Sequence, residues 1–313
     1  MTIYTFGEPE YQIPDPRHAR AVILPLCYEH AVSYGAGTGS GPLHILEAST
    51  QLEMMDEETL MHWGNIGIHT LPPLYPSQNP EQAVAEMRQA AAAILSQGKF
   101  LLSLGGDHAI SIGPIAATAE IYPDIAVVQV DAHLDLRNTW NGSRCNHACI
   151  MRRVVEDMEL AAVQIGIRSF SPEEAVYLRE HDMKPYFAHE IPASDLSWIQ
   201  KVVAQLPERV YITIDVDGLD PSVIPGTGTP EPGGLQYRQL VRLIQAIGAS
   251  RHVVAADIAE LSKIEGSCVS EFTAARIAEK LLVYCVKCDD VINYQISDSF
   301  VKCLQARRTN HEE

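Results

Sequence analysis

Short apolar runs rich in β-branched residues alternate with stretches whose apolar positions recur every three or four residues, through nearly the whole chain. Runs apolar on both sides fit strands buried on two faces, and the three-to-four spacing fits amphipathic helices. The alternation therefore predicts a parallel sheet covered by helices on both faces. Eight strands are expected, at residues 20–26, 64–69, 100–104, 125–131, 161–167, 184–187, 210–216 and 252–258. Helices are expected at 42–55, 112–120, 195–205, 236–247 and 270–286. Two more announce themselves by their ends. Asn79-Pro80-Glu81-Gln82 combines an N-cap, a proline at the first helical position and a capping-box glutamine, with Gly98 closing the helix. Ser171-Pro172-Glu173-Glu174 repeats the device. Gly- and Pro-rich segments at 71–77 and 221–234 read as surface loops, and no linker or repeat divides residues 1–313, which are expected to form a single domain.

Composition changes little in this picture. Apolar content of 46% and charged content of 20% are ordinary globular values, so disorder, collagen and coiled coil are excluded. Net charge does more. At −17 it disfavours nucleic acid and anionic membrane as partners, and it favours a cationic small molecule if the field is focused at a cleft. The first twenty residues lack the basic start and apolar core of a signal peptide, and no apolar run reaches spanning length, which points to the cytoplasm. Seven cysteines, odd in number and without scaffold spacing, fit reduced thiols; Cys285-Val-Lys-Cys288 is a lone pair of structural character. The run Gly35-Ala-Gly37-Thr-Gly39-Ser-Gly41 has the wrong spacing for a dinucleotide fingerprint and reads as a flexible loop lining a cleft.

The chemistry gathers where the predicted strands end. His108 follows the third after a Gly-Gly turn, Asp131, His133 and Asp135 close the fourth, Asp215 and Asp217 close the seventh, and Glu260 follows the eighth. Ligands in open parallel sheets bind beyond these carboxyl ends. If the chain stays extended, alternation puts Asp131, His133 and Asp135 on one side, and likewise Asp215 and Asp217. Buried carboxylates so crowded repel one another, and divalent cations reverse that penalty. Two imidazoles and four carboxylates match two divalent ions, and the oxygen-rich set favours manganese over zinc. Two ions about 3.5–4 Å apart point to hydrolysis by an activated water.

The blocks GGDHAI at 105–110, DAHLDLR at 131–137, IDVDGLDPS at 214–222 and PGTGTPEPGG at 225–234 resemble the ureohydrolase family of arginases and agmatinases, over residues 21–284. The resemblance implies a three-layer α/β/α fold with a central eight-stranded, mainly parallel sheet. It also implies two Mn2+ ions per subunit and release of urea and an amine from a guanidino compound. One ion would be held by His108, Asp131, Asp135 and Asp215, and the other by Asp131, His133, Asp215 and Asp217. Asp135 would move a proton to the departing amine, His147 would be the second acid/base group, and Glu260 would pair with the guanidinium. Cys149, two residues beyond His147, reads as a packing residue. Assembly as a homotrimer or homohexamer is implied too.

Substrate choice rests on the loops. Arginases carry an acidic residue just beyond the strand end that here reads Gly166-Ile-Arg168-Ser-Phe-Ser171, without that acid. VSYGAGTGSGP at 32–42 and HACIMRR at 147–153 resemble agmatinases, so agmatine, cleaved to putrescine and urea, is the expected substrate. Arg137, close to the ligand block, keeps a guanidino acid such as guanidinobutyrate in view, because a cation facing the cleft would attract a carboxylate tail. Arginine is the third possibility, and a silent metal-binding partner subunit the alternative of another class.

Overall fold

The computed structural model describes residues 4–287. Its strands are β1 Ala21–Leu26, β2 Ile68–Thr70, β3 Phe100–Gly105, β4 Ala126–Val130, β5 Ala161–Ile167, β6 Tyr186–Phe187, β7 Arg209–Asp215 and β8 His252–Ala259. They form one sheet in the order β2-β1-β3-β8-β7-β4-β5-β6, and every neighbouring pair is parallel. All eight expected strands are present.

Side-chain alternation splits the strands between two apolar cores. Ile23, Leu102, Val128 and Ile212 face one side, packed under α1 Gly41–Ser49, α6 Ser197–Gln205, α7 Tyr237–Ser250 and α8 Val269–Cys285. Val22, Leu101, Val127 and Tyr211 face the other, under α2 Pro80–Leu95, α3 Ile112–Ile121, α4 Ile150–Arg152 and α5 Pro172–Glu180. Strands covered on both faces have no solvent side, which is why they read as mostly apolar runs rather than as alternating ones. The result is the expected three-layer α/β/α architecture. The capping signals hold: Asn79 accepts from the Gln82 N–H, and Ser171 with Glu174 closes a complete capping box.

Local departures have local causes. The strand expected at 64–69 is confined to Ile68–Thr70, because Trp63–Ile66 forms a 3-10 turn that exits through Gly67 at φ 85°. The helix expected at 42–55 stops at Ser49, whose hydroxyl donates back to the Leu46 carbonyl and accepts from the Gly7 N–H. A short helix was not foreseen at Ile150–Arg152, nor its wider continuation Arg153–Asp157. Cys285 is buried, and Cys288 lies outside the described residues. Among the described residues, no helix is long and apolar enough to cross a membrane.

Parallel strands bring all their carboxyl ends to one edge. The strands that carry the predicted site residues, β3, β8, β7 and β4, are the four consecutive strands at the centre of the sheet. Residues far apart in sequence therefore meet over one patch.

Candidate active site

The structure brings His108, Asp131, His133, Asp135, Asp215 and Asp217 together, though not by strand alternation. β4 ends at Val130 and β7 at Asp215, so most of these residues lie on turns. Asp131 Oδ1 accepts the His133 N–H at 2.6 Å, and Asp215 Oδ1 accepts the Asp217 N–H at 2.8 Å. Each leading aspartate folds the chain back over itself by an Asx turn. Asp135 sits at φ 52°, a left-handed backbone uncommon outside glycine, where its carbonyl is held by the N–H groups of Met151 and Arg152. The unforeseen α4 is thus what fixes Asp135.

His108 Nδ1 lies 3.1 Å from Asp131 Oδ2, 3.3 Å from Asp135 Oδ2 and 3.3 Å from Asp215 Oδ2. His133 Nδ1 lies 3.1 Å from Asp217 Oδ2 and 3.4 Å from Asp131 Oδ1. Among the described residues, two groups have metal-holding geometry, His108 with Asp131 and Asp215, and Asp131 with His133 and Asp217. Asp131 belongs to both.

Hydrogen bonding on the far side of His108 fixes its tautomer. Thr213 Oγ1 donates to Asp257 Oδ1 at 2.7 Å and faces His108 Nε2 at 2.7 Å. With its only proton committed to Asp257, Thr213 accepts from Nε2–H. Nδ1 is then bare, buried, and without a hydrogen-bond partner among the described residues. A lone pair aimed at three carboxylates is repulsive unless a cation stands between them, so these residues fit a metal ion. Protonation is the alternative relief. Burial pulls the His108 imidazole down, but Asp131, Asp135 and Asp215 outweigh it and lift it well above its ordinary value. Burial, reinforced by Asp131, pushes Asp135 up to about 7; burial and then Asp217 push Asp215 well above the carboxylate range.

Thr213→Val keeps the shape of the strand and removes the acceptor for Nε2–H. We expect the fold to persist and affinity for a divalent ion to fall about 10–100-fold, read by metal titration. Unchanged affinity would show that Thr213 does not hold the ring.

Glu260 and His147 complete the wall. Glu260 also has a left-handed backbone, φ 66°, and its Oε1 accepts the His108 N–H at 2.8 Å. Burial first, then Asp107, lifts its carboxyl well above its ordinary value. His147 Nε2 is 2.9 Å from Ser33 Oγ, while its Nδ1 is buried without a partner among the described residues. Burial, helped by His108 and His133, pushes His147 down to about 4, leaving it neutral at physiological pH.

These residues line a cleft of about 460 Å3. Its wall includes Ser33, Tyr34 and Gly35 from the glycine-rich loop. That loop is built around Glu29, whose carboxylate accepts from the N–H groups of Gly37 and Gly39, and it is tied across the cleft by Gly35 N–H to the Gly228 carbonyl at 3.0 Å. Arg137 lines the cleft with its guanidinium 4.1 Å from the centre of the Trp140 ring. Cys149 is fully buried, and burial pushes its thiol to about 12. Four supporting residues were not foreseen: Glu29, Gln129 (whose amide donates to Asp131 Oδ2 at 2.7 Å), Thr213 and Asp257. Polar residues interrupting otherwise apolar central strands were the available signal for the last three.

A parallel α/β sheet with paired His and Asp groups at its central carboxyl ends is the arrangement of a metal-dependent hydrolase. The arginase-family model matches residues 19–284. The N(1)-aminopropylagmatine ureohydrolase of Synechocystis sp. is 39% identical over 277 residues, covering 85% of this chain and 89% of that relative. The agmatinase of Bacillus anthracis is 32% identical, covering 88% and 94%. The crystal structure of agmatine ureohydrolase of Thermoplasma volcanium superposes with a TM-score of 0.82 at 27% identity, covering 91% of this chain and 94% of that one. The chain belongs to the arginase family and is a ureohydrolase.

Proposed function

We propose that the protein is a binuclear manganese ureohydrolase acting on a guanidino compound with a cationic tail, N1-aminopropylagmatine ahead of agmatine. The carrying observation is the bare Nδ1 of His108 among three carboxylates, with Asp131 shared between two metal-holding groups. His108, Asp131, Asp135 and Asp215 would hold one ion, and Asp131, His133, Asp215 and Asp217 the other. Manganese bound there supplies Lewis acidity and brings the pKa of water toward neutrality.

The remaining chemistry falls to side chains. Water adds to the planar guanidinium carbon, the bond from that carbon to the tail nitrogen breaks, and the tail nitrogen must gain a proton to leave as an amine. Asp135, buried against the ligand cluster, carries that proton to the leaving nitrogen. Neutral His147 is bonded to the exposed Ser33 hydroxyl and exchanges protons with solvent. Glu260 Oε1 is committed to His108, which leaves Oε2 to pair with the guanidinium N–H groups and orient the carbon.

The tail assignment moves from agmatine to its aminopropyl derivative because relatives at 39% and 35% identity carry that name, while the agmatinase relative stands at 32%. A second reading, a guanidino acid, is favoured by Arg137, whose charge lines the cleft. Urea release by manganese-loaded protein from aminopropylagmatine, agmatine, guanidinobutyrate and arginine separates these readings. The highest kcat/KM is expected for aminopropylagmatine, with a triamine as the second product. A preference for guanidinobutyrate transfers the assignment to Arg137, and urea from none of them removes both.

A further inference from the structure

Three glutamates line the cleft outside the His and Asp cluster, and they are unequally committed. Glu260 gives Oε1 to the His108 N–H. Glu174 is saturated: Oε1 accepts from the Leu136 N–H, and Oε2 from both the N–H and the hydroxyl of Ser171. Glu231 differs. Its Oε1 accepts the Ser169 hydroxyl at 3.0 Å, and among the described residues its Oε2 accepts no protein hydrogen bond.

Glu231 is also rigidly placed. Its carbonyl accepts from Arg168 Nη2 at 2.6 Å, and the same nitrogen donates to the Asp217 carbonyl at 2.6 Å. Arg168 spends further donors on the carbonyls of Gly166 and Pro232, so its charge is committed to backbone and makes no ion pair with the Glu231 carboxylate. Ser169, which holds Oε1, is hydrogen-bonded through its own N–H to Ala132 and pairs with His133 in an isolated bridge. The carboxylate is thus fixed from two sides relative to His133 and Asp217, with one oxygen left over. Holding a carboxylate in place this way without filling it is pre-organisation for a cation. Tyr34, 86% exposed on the cleft wall, adds an aromatic face that attracts ammonium groups.

We propose that Glu231 is a specificity-determining residue, its open oxygen receiving an ammonium N–H of a polyamine tail while the guanidinium lies over the His and Asp cluster. This deepens the reading above and rests on it. Two tail determinants then line one cleft, the anionic Ser169–Glu231 pair and the cationic Arg137–Trp140 pair. A polyamine tail runs along the first and a carboxylate tail along the second.

Glu231→Gln tests this, because the amide oxygen still accepts from Ser169 while the charge is gone. Two quantities are measured on manganese-loaded protein: equilibrium binding of the product triamine, and the ratio of kcat/KM for aminopropylagmatine to that for neutral-tailed butylguanidine. Both are expected to fall about tenfold or more, the strength of one charge-assisted contact. Ser169→Ala, which keeps the charge and loses the brace, is expected to lose less than half as much on a logarithmic scale. Triamine binding unchanged in the Gln variant, an equal loss on butylguanidine, or a Ser169→Ala loss as large as that of Glu231→Gln overturns the proposal. The two readings fail separately. A wild-type protein that binds triamine through Glu231 but releases no urea refutes the reaction, while one that hydrolyses aminopropylagmatine with the Gln variant unaffected refutes the subsite.

Discussion

Asp131→Asn is expected to leave a folded protein that holds fewer than two manganese ions and releases urea at least about 10³-fold more slowly, the rate equivalent of about 4 kcal/mol. Asp131 is fully buried and belongs to both metal-holding groups, so the loss of its charge touches both at once. Its two oxygens are also spoken for, Oδ1 by the His133 N–H and Oδ2 by the Gln129 amide. An asparagine can accept from only one of them, and its NH2 then meets a donor. Metal analysis after gel filtration, with the urea assay run on the same sample, checks both halves. Two ions per chain with an undiminished rate would remove Asp131 from the machinery.

Chelation should expose the repulsion that the ions relieve, and pH sets its size. Asp135 titrates near 3.8 unfolded and near 7 in the folded, metal-free protein, so its contribution to stability is full below about pH 4 and is lost as pH rises through 7. Asp215 and Glu260 are also raised and slope the same way. Burial lowers His133, but Asp217 and Asp131 outweigh it and raise it to about 12; its contribution is full below 6.5 and declines above. His147 opposes these groups. Lowered by burial to about 4, it adds stability as pH rises from 4 to 6.5 and is then neutral in both states. Between pH 6.5 and 8 the net slope is therefore downward without metal. Manganese needs its ligands deprotonated, so its affinity rises over the same interval. The gap in Tm between manganese-loaded and chelated protein should widen from pH 6.5 to 8. It should reach about 4 °C with free ion at about a hundred times Kd, where linkage gives about 2.7 kcal/mol. Calorimetry across that range checks it, and a constant or shrinking gap contradicts the assignment of these carboxylates.

The fold was legible because the central strands are buried on both faces and most helices on one, so burial wrote itself into the spacing of apolar residues. β2 and α1 departed where a single residue decided the matter, Gly67 by its left-handed turn and Ser49 by its hydroxyl. The ligand residues were legible as residue types at strand ends. Their convergence was not, since it depends on Asx turns at Asp131 and Asp215 and on the left-handed Asp135, features invisible to a rule of alternation. Thr213 and Asp257 escaped notice for a different reason. Their meaning lies in one hydrogen-bond chain between β7 and β8, and a sequence does not report which strands are neighbours before the sheet order is known.

That sheet order also dictates when the site can exist. His108 and the Thr213 that holds it are 105 positions apart, and His108 leans on Glu260 across 152. β8 lies between β3 and β7, so the centre of the sheet has a gap until the chain has passed Ala259. A growing chain on the ribosome therefore carries all six proposed ligands before it carries a place to put the ions. A divalent ion held by these residues would not seed folding as zinc does in a finger, where nearby ligands close a short loop. It would enter a structure already made.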